Sequence, residues 1–294
     1  MGKLLDLAGK TVEAIEYYQE FSYRQNLATH PEITKQYWSS QQLRKPDFII
    51  CGSTKCGTTS LYNYLIAHPQ VLPAVEKELY FFSHYFEREL DWYFAHFPSI
   101  DNRQYLVGEA SPTYLNWADP ERLLQILPDV KLIFMLRNPV HRTISSFYQI
   151  DRISIEQPDL EDFIKWVTKT LSVKLESSKD IIPKPLCHLA FSEQLLWFHL
   201  IPSLYSVFIK KWLTVFHREQ ILALESEELY KNPSRIMNEV YRFLDLPECN
   251  LTNYQNFNPG SYALASSDVL QKSNTAFHLY NLNLQEYLGR QFNW

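Results

Sequence analysis

A glycine-containing turn between a predicted strand and a predicted helix constrains this chain more than any other feature. The apolar residues 48–51 read as a buried strand, residues 52–60 as a turn, and residues 61–65 as the continuation of a helix. Backbone N–H groups at such a turn and at the helix N-terminus converge on one point. The segment therefore predicts a site for an anion such as phosphate.

The lysine of this turn stands in an unusual place. In nucleotide triphosphatases the turn reads G-x-x-x-x-G-K-[ST], and the lysine after the second glycine contacts the β- and γ-phosphates. Here Thr58 occupies that position, and the lysine is Lys55. The phosphate site is kept, whereas the lysine that contacts a γ-phosphate is displaced. A donor whose 5′-phosphate carries a short transferable group fits such a turn, with Lys55 neutralising the bridging oxygen as the bond breaks.

The pattern Lys-x-Gly-Thr-Thr at residues 55–59 resembles the 5′-phosphosulfate loop of the sulfotransferases that use 3′-phosphoadenosine 5′-phosphosulfate (PAPS). In motif style the chain is similar to the carbohydrate (heparan sulfate) type and to bacterial natural-product sulfotransferases. The resemblance implies PAPS as donor, 3′-phosphoadenosine 5′-phosphate (PAP) as product, and no required metal, since the leaving group is not a polyphosphate. The predicted 5′-phosphate ligands, besides Lys55, are Cys56, Gly57, Thr58, Thr59 and Ser60.

A second segment supports the same resemblance. Residues 131–136 form a second predicted buried strand, and residues 137–148 after it resemble the family's 3′-phosphate motif R-[ND]-P-x-x-R-x-x-S. The resemblance implies that Arg137 and Ser145 bind the 3′-phosphate. Pro139 suits the first turn of a helix, and Ser145 lies two turns along it. Arginine offers a planar fork suited to phosphate, although a surface ion pair is the alternative for Arg137.

Residues 76–82 resemble the K-E-x-x-F-F segment of the carbohydrate branch, whose glutamate deprotonates the acceptor. Carried over, the base is Glu78, which needs partial burial or a nearby cation for that role. An extended segment would place Glu78 and Tyr80 on one side, sharing the cleft. Alternatively, Glu78 is a surface carboxylate paired to Lys77 or Lys55. The rival bases, each more typical of structural histidines, are His84, His96 and His141.

The C-terminal region departs from the family pattern. Family members often carry a basic, glycine-containing loop that closes over the nucleotide, whereas residues 257–277 hold Lys272 as their only cation. Lys272 is predicted to contribute to donor binding, with Ser273 and Tyr262. Weaker likenesses at residues 225–233, 243–247 and 282–294 extend the resemblance from residue 46 to the C-terminus.

The order of elements predicts an α/β, P-loop-like three-layer fold with a central, mostly parallel sheet flanked by helices. Residues 1–45 are predicted to be an N-terminal helical extension, and residues 46–294 a catalytic domain whose acceptor-side helical cap covers about 150–187, with a helix near 160–171. The extension is expected to pack on the catalytic domain. The alternatives are that it forms a lid or that it is the arm of a possible homodimer. Its predicted apolar stripe consists of Leu4, Leu7, Ala8, Val12, Ile15 and Tyr18.

Composition limits the partners. A formal net charge of −5 over 294 residues argues against nucleic acid or a long polyanion as partner and favours a neutral or cationic small acceptor. No apolar stretch is long enough to cross a membrane, and the start of the chain does not resemble a secretory signal, so a cytoplasmic protein without membrane contact is predicted. Cys56 faces a predicted helix N-terminus, which would lower its thiol pKa.

The sequence thus predicts transfer of a sulfuryl group from PAPS to the hydroxyl or amine of a small acceptor, with a secondary metabolite as the favoured class. A carbohydrate or a carrier-bound hydroxyacyl group is the alternative acceptor. Two other classes stay open, a kinase with an aberrant loop and a catalytically idle nucleotide-binding module.

Overall fold

A five-stranded parallel sheet forms the centre of the computed structural model, which describes residues 1–39, 43–150, 159–172, 196–255, 257 and 265–294. The strands are β1 (Phe48–Gly52), β2 (Val71–Pro73), β3 (Leu106–Ala110), β4 (Lys131–Leu136) and β5 (Ile221–Glu225). Their order is β2-β3-β1-β4-β5, and all neighbours are parallel. Nearly every strand residue is buried, as expected for a parallel sheet covered on both faces. The predicted fold class is confirmed.

Helices fill the connections between the strands. Before the sheet lie α1 (Gly2–Leu7), α2 (Thr11–Thr29) and α3 (Pro31–Tyr37). Between β1 and β4 lie α4 (Thr58–Ile66), α5 (Phe81–His84), α6 (Leu90–Phe94), α7 (Tyr114–Trp117) and α8 (Pro120–Ile126). After β4 come α9 (Pro139–Ile150), α10 (Leu160–Ser172), a π-helical turn (Leu196–Leu200), a 3-10 turn (Ile201–Ser203), α11 (Tyr205–Val215) and a second 3-10 turn (Arg218–Gln220). After β5 come α12 (Ser226–Lys231), α13 (Pro233–Phe243) and α14 (Ser267–Leu288).

The two predicted phosphate segments meet at the middle of the sheet. β1 and β4 are direct neighbours, with Phe48 opposite Lys131 and Ile50 opposite Ile133. From β1 the chain goes to β2 at one edge and back to β3 beside β1, whereas β4 and β5 lie on the other side of β1. Open parallel sheets bind ligands at the carboxyl ends of the strands where the order reverses in this way. The turn after β1 and the residues after β4 both lie there.

Two apolar clusters hold the molecule together. The larger one surrounds the sheet and includes the aromatic residues Tyr205, Trp212 and Phe216. The smaller one joins α9, α10 and α14 through residues such as Ile144, Ile164 and Phe277. The helix predicted near residues 160–171 is therefore present as α10. The rest of the predicted cap, residues 151–158 and 173–187, lies outside the described residues.

The N-terminal helices pack against the sheet domain by a different face from the one predicted. The chain turns at Gly9, whose φ is +69°, so residues 3–28 form two helices, not one. The buried face of α2 consists of Ala14, Tyr18, Ser22 and Asn26. The predicted stripe is wrong at Leu4, Leu7 and Val12, which are 63%, 84% and 69% exposed, and at Ala8, which is exposed too, whereas Tyr18 is buried. The break at Gly9 separates α1 from α2, and within α2 Val12 lies on a different side from Ala14 and Tyr18.

A buried carboxylate joins α1 to the body of the protein. Asp6 accepts hydrogen bonds from the Tyr18 hydroxyl at 2.7 Å and from Trp92 Nε1 at 2.9 Å, and it pairs with Arg88 at 2.7 Å. α1 is thereby connected to both α2 and α6. No helix within the described ranges is long and apolar enough to cross a membrane.

Candidate functional site

The turn after β1 has the geometry of an anion site. Gly57 precedes α4 with a φ of +84°, and a Cβ placed on it would lie 2.8 Å from the Tyr230 hydroxyl, so a larger residue would be both strained and crowded. Lys55 also has a positive φ of +67°. The first N–H groups of α4, beginning at Thr58, have no carbonyl partner within the helix. They are directed at the space above the turn, where the helix dipole favours negative charge.

Arg137 lies beside this turn at the end of β4. Its Nη1 donates to the Lys55 carbonyl at 3.3 Å, and its Nε lies 4.0 Å from Glu227 Oε1. The Tyr205 hydroxyl donates to the Arg137 carbonyl at 3.0 Å and lies 3.5 Å from Cys56 Sγ. The structure thus brings Arg137 to the predicted phosphate loop. The alternative of an ion pair is partly realised through Glu227.

Sequence reasoning assigned no role to Arg142, although its motif contains it. Arg142 is 1% exposed, and its Nε and Nη2 donate to the carbonyl and hydroxyl oxygens of Thr54 at 3.1 and 2.6 Å. Its Nη1 donates to the His199 carbonyl at 2.6 Å. Arg142 therefore ties the phosphate turn to α9 and to the residues before α11. The signal was the second arginine of R-N-P-x-x-R, five residues after the first.

The remaining predicted donor residues lie in different places. Ser145 is on α9 and buried, with 6% exposure. Ser60 Oγ accepts from the Phe257 N–H at 3.3 Å, so the segment after α13 contacts the first turn of α4. Lys272 lies on α14, is 68% exposed, and pairs with Asp268 at 2.7 Å. Of its predicted companions, Ser273 donates to the Val269 carbonyl, and Tyr262 lies outside the described residues.

Glu78 has the surroundings that a base would need. Its two carboxylate oxygens contact Lys77 Nζ and the Tyr80 hydroxyl, and its side chain is 32% exposed. Glu78 and Tyr80 therefore touch, but neither lines the cavity beside Lys55, and the pairing with Lys77 is the one given by the alternative interpretation. The segment is not extended, however: Tyr80 has a φ of +55°, and α5 begins at the next residue. The predicted alternation consequently ends at Tyr80, and Phe82 is buried in the core.

A cavity of about 170 Å³ opens next to Lys55. Its described lining residues are Thr54, Lys55, Thr113, Asn116, Trp117, Arg142, Ser146, Gln149, Phe198 and Pro202, with no acidic side chain among them. Asn116 Nδ2 and Trp117 Nε1 are buried donors without a hydrogen-bond partner in the described part of the chain. Such donors are costly unless a ligand or water completes them. The lining residues Thr113, Asn116 and Trp117 were not predicted from the sequence. The one sequence signal for them is that a polar segment follows β3 directly.

Glu78 does not line this cavity, but a chain of contacts connects the two. Thr113 Oγ1 lies 2.8 Å from Ser83 Oγ. Ser83 Oγ in turn lies 3.4 Å from the carbonyl of Tyr80, whose hydroxyl contacts Glu78. The predicted base is thus connected to the cavity lining through Tyr80, Ser83 and Thr113.

A larger cleft of about 710 Å³ lies at the opposite edge of the sheet, where Asp47, Leu106 and Lys131 stand at the starts of strands. It contains neither predicted phosphate segment. Ligands of open parallel sheets bind at the other edge. The cavity beside Lys55 is therefore the better candidate for chemistry.

Burial shifts the pKa values of the rival histidine bases and of Cys56. Burial lowers the pKa of His96 to about 4, and its Nδ1 lies 2.8 Å from the Trp92 carbonyl, against the N-terminal helices. Burial likewise lowers the pKa of His84 and His141. The expected lowering of the Cys56 pKa is wrong. Its side chain has no exposed surface, and burial raises the thiol pKa to about 11, more than the nearby arginines lower it.

Comparison with known proteins agrees with this geometry. A family model described as the sulfotransferase domain matches residues 45–277. The chain is 26% identical to the membrane-associated sulfotransferase kil1 of Dictyostelium discoideum, covering 85% of this chain and 66% of the relative. It is 30% identical to the bifunctional heparan sulfate N-deacetylase/N-sulfotransferase 1 of Mus musculus, covering 79% of this chain and 26% of the relative. The chain thus spans less than two thirds of the first relative and about a quarter of the second.

The fold also resembles a solved structure over most of its length. The sulfotransferase from Alicyclobacillus acidocaldarius superposes with a TM-score of 0.64 and 25% identity, covering 85% of this chain and 98% of the other.

Proposed function

Because this chain belongs to the sulfotransferase family, we propose that it transfers a sulfuryl group from PAPS to a hydroxyl group of a small acceptor. One observation carries the proposal: Lys55 belongs both to the anion-binding turn before α4 and to the wall of a cavity. A cation at that junction stands where a bond beyond a 5′-phosphate would break. This placement explains why the lysine of the turn is Lys55 and not residue 58.

The residues around the turn fit the two ends of the donor. The 5′-phosphate fits the amides of Cys56, Gly57, Thr58, Thr59 and Ser60, at the positive end of the α4 dipole. The 3′-phosphate is assigned to Arg137, with Ser145 on the neighbouring helix. Arg137 is 26% exposed and lies beside the turn, where its Nη1 donates to the Lys55 carbonyl, so it is near a donor whose 5′-phosphate occupies the turn. When bound, PAPS supplies the sulfuryl group, and its bond to the bridging oxygen breaks as the acceptor oxygen attacks sulfur.

The chain's own residues have separate tasks in this reaction. Lys55 offsets the charge that grows on the bridging oxygen as PAP leaves. Glu78 is proposed to take the proton of the acceptor hydroxyl, with Lys77 as its cationic neighbour and the Tyr80 hydroxyl as its hydrogen-bond partner. Because Glu78 does not line the cavity beside Lys55, this role requires the reacting hydroxyl to lie between that cavity and Glu78. Arg142 holds Thr54 and so keeps the turn in shape.

The acceptor is proposed to enter the cavity beside Lys55. Its polar lining residues, among them Thr54, Thr113 and Asn116, suit an acceptor that carries an oxygen next to the reacting hydroxyl. The volume of about 170 Å³ is below that of a typical site for a drug-sized ligand, so the reacting end of a small molecule fits best. The favoured acceptor class is a small natural product. The net positive lining favours a hydroxyl over a protonated amine.

A carbohydrate acceptor is the second candidate. It is favoured by the 30% identity to a relative named for heparan sulfate N-sulfation. The donor groups of the cavity suit a sugar ring as well as a natural product.

Transfer of ³⁵S from labelled PAPS to a panel of alcohols, amines and sugars tests the function. Lys55→Ala is expected to lower turnover by about a hundredfold or more while PAP still binds, because the amides of the turn remain. Lys45→Ala is the matched control, since Lys45 is exposed and donates only to the Ile126 carbonyl at 2.9 Å. Near-normal turnover in Lys55→Ala would refute the assigned role of this lysine.

A further inference from the structure

A fully buried carboxylate, Glu109 on β3, lies next to the segment that carries Glu78. It has no exposed surface and accepts four hydrogen bonds. The donors are the Tyr93 hydroxyl at 2.7 Å, the Tyr114 hydroxyl at 2.9 Å, Ser111 Oγ at 2.5 Å and the Leu79 N–H at 3.3 Å. A carboxylate buried this deeply is costly unless its oxygens are satisfied. The proposed phosphate ligands do not include it.

Two hydrogen bonds of Glu109 and its partner Ser111 reach the backbone directly after Glu78. The Leu79 N–H donates to Glu109 itself, and the Tyr80 N–H donates to Ser111 Oγ at 3.0 Å. Two successive peptide N–H groups are thus fixed by one carboxylate, the second through a serine.

The fixed backbone is a strained one. Tyr80 has a φ of +55°, a conformation that is unfavourable for a tyrosine and persists only where its surroundings enforce it. This turn directs the Tyr80 hydroxyl back to the Glu78 carboxylate. On the N–H side this turn is held by Glu109 and Ser111, while the Tyr80 carbonyl accepts from N–H groups of α5.

The chemistry of the cluster requires a carboxylate. Every partner of Glu109 is a donor, and an ionised carboxylate only accepts hydrogen bonds. A glutamine would offer one accepting oxygen, and its NH₂ group would face other donors. The Glu109 carboxylate therefore accepts hydrogen bonds from all four surrounding donors.

We propose that Glu109 and Ser111 are positioning residues that hold Glu78 in the geometry needed to take the acceptor proton. This rests on the proposed function in so far as Glu78 is the base. The two residues touch neither donor nor acceptor. They act through the N–H groups of Leu79 and Tyr80.

Ser111→Ala and Tyr93→Phe form a matched pair for the test. Each removes one hydroxyl that donates to Glu109, but only Ser111 also accepts from the Tyr80 N–H. In the full-length protein, hydrogen exchange at the Tyr80 amide is expected to accelerate about tenfold or more in Ser111→Ala and at most about twofold in Tyr93→Phe. The kcat of ³⁵S transfer should fall about tenfold or more in Ser111→Ala alone, with unchanged PAP affinity.

Glu109→Gln extends the test to the second N–H group. It is expected to accelerate exchange at both Leu79 and Tyr80, whereas Ser111→Ala affects Tyr80 only. Equal exchange and equal kcat in Ser111→Ala and Tyr93→Phe would overturn the proposal, because the hydroxyls would then be merely structural. A wild-type protein that transfers no sulfuryl group would refute the proposed function, while the exchange measurements would still decide whether the loop is held as described.

Discussion

At the scale of single residues, Trp117 offers the sharpest probe of the acceptor side. Trp117→Phe keeps an aromatic ring in the cavity wall but removes the buried, unpaired Nε1 donor. If the acceptor uses this donor, KM for the acceptor is expected to rise about fivefold to tenfold with little change in PAP affinity. Steady-state ³⁵S transfer with the best acceptor of the panel measures both quantities.

Trp294→Phe is the control for that change. Its Nε1 is also buried and unpaired in the described part of the chain, but Trp294 packs on Tyr205 and Phe292 away from the cavity. Equal effects of the two substitutions on the acceptor KM would contradict a specific role for Trp117.

The motif residues were predictable from sequence because their chemistry is local. Lys55 and Arg137 stand directly after buried strands, and the neighbouring parallel strands bring them together. Arg142 and Glu109 were not predicted as functional, because their roles depend on contacts with residues distant in sequence, such as His199 and Leu79. The pKa of Cys56 was misjudged for a related reason: burial by residues far along the chain outweighs the helix N-terminus.

At the scale of elements, the N-terminal helices depend on Asp6. Asp6→Ala removes the acceptor for the Tyr18 hydroxyl and Trp92 Nε1 and leaves Arg88 without its partner. Breaking such a partly buried network is expected to lower the free energy of unfolding by about 2–4 kcal/mol and to expose α1 to proteolysis. Limited proteolysis followed by mass spectrometry measures the release of α1.

Glu13→Ala provides the matched comparison. Glu13 forms an exposed pair with Lys10 at 3.1 Å, which should contribute little. Release of α1 to the same extent in both variants would show that Asp6 is not the anchor.

The elements themselves were predicted unevenly. The strand, turn and helix around residues 48–65 and the helix α10 have clear periodicity, and both are present. The N-terminal stripe failed because a single glycine with positive φ, Gly9, separates α1 from α2, and because the buried side of α2 does not include Val12. The turn at Tyr80 was missed because a non-glycine residue with positive φ has no local sequence signal; it depends on Glu109 and Ser111.

At the scale of the whole molecule, two buried histidines make stability depend on pH. Burial lowers the pKa of His96 and of His199 to about 4, with Arg142 adding to the shift at His199. In the unfolded chain both titrate near 6.5. Between these values the unfolded chain binds more protons, so stability is complete above about pH 6.5 and falls as the pH drops towards 4. Each histidine contributes up to about 3 kcal/mol of this loss.

Urea unfolding at about pH 7.5 and pH 5 measures the effect, and His96→Gln should reduce the difference between the two midpoints. Identical midpoints for the wild-type protein at both pH values would contradict the burial of neutral histidines. The compartment, the oligomeric state and the absence of nucleic-acid, membrane or metal partners stay predictions from the sequence.

The central claim is that the turn after β1 binds an adenosine bisphosphate and not a triphosphate. Calorimetric titration with PAP, beside ATP plus Mg²⁺, tests it most directly. The account predicts PAP binding in the micromolar range, weakened about tenfold or more by Arg137→Ala through the lost phosphate contact. Arg24→Ala is the comparison; as an exposed arginine on α2 already paired to Glu20 at 2.6 Å, it should change the affinity about twofold at most. A preference for ATP, or binding of neither nucleotide, would contradict the account and favour a kinase or an idle nucleotide-binding module.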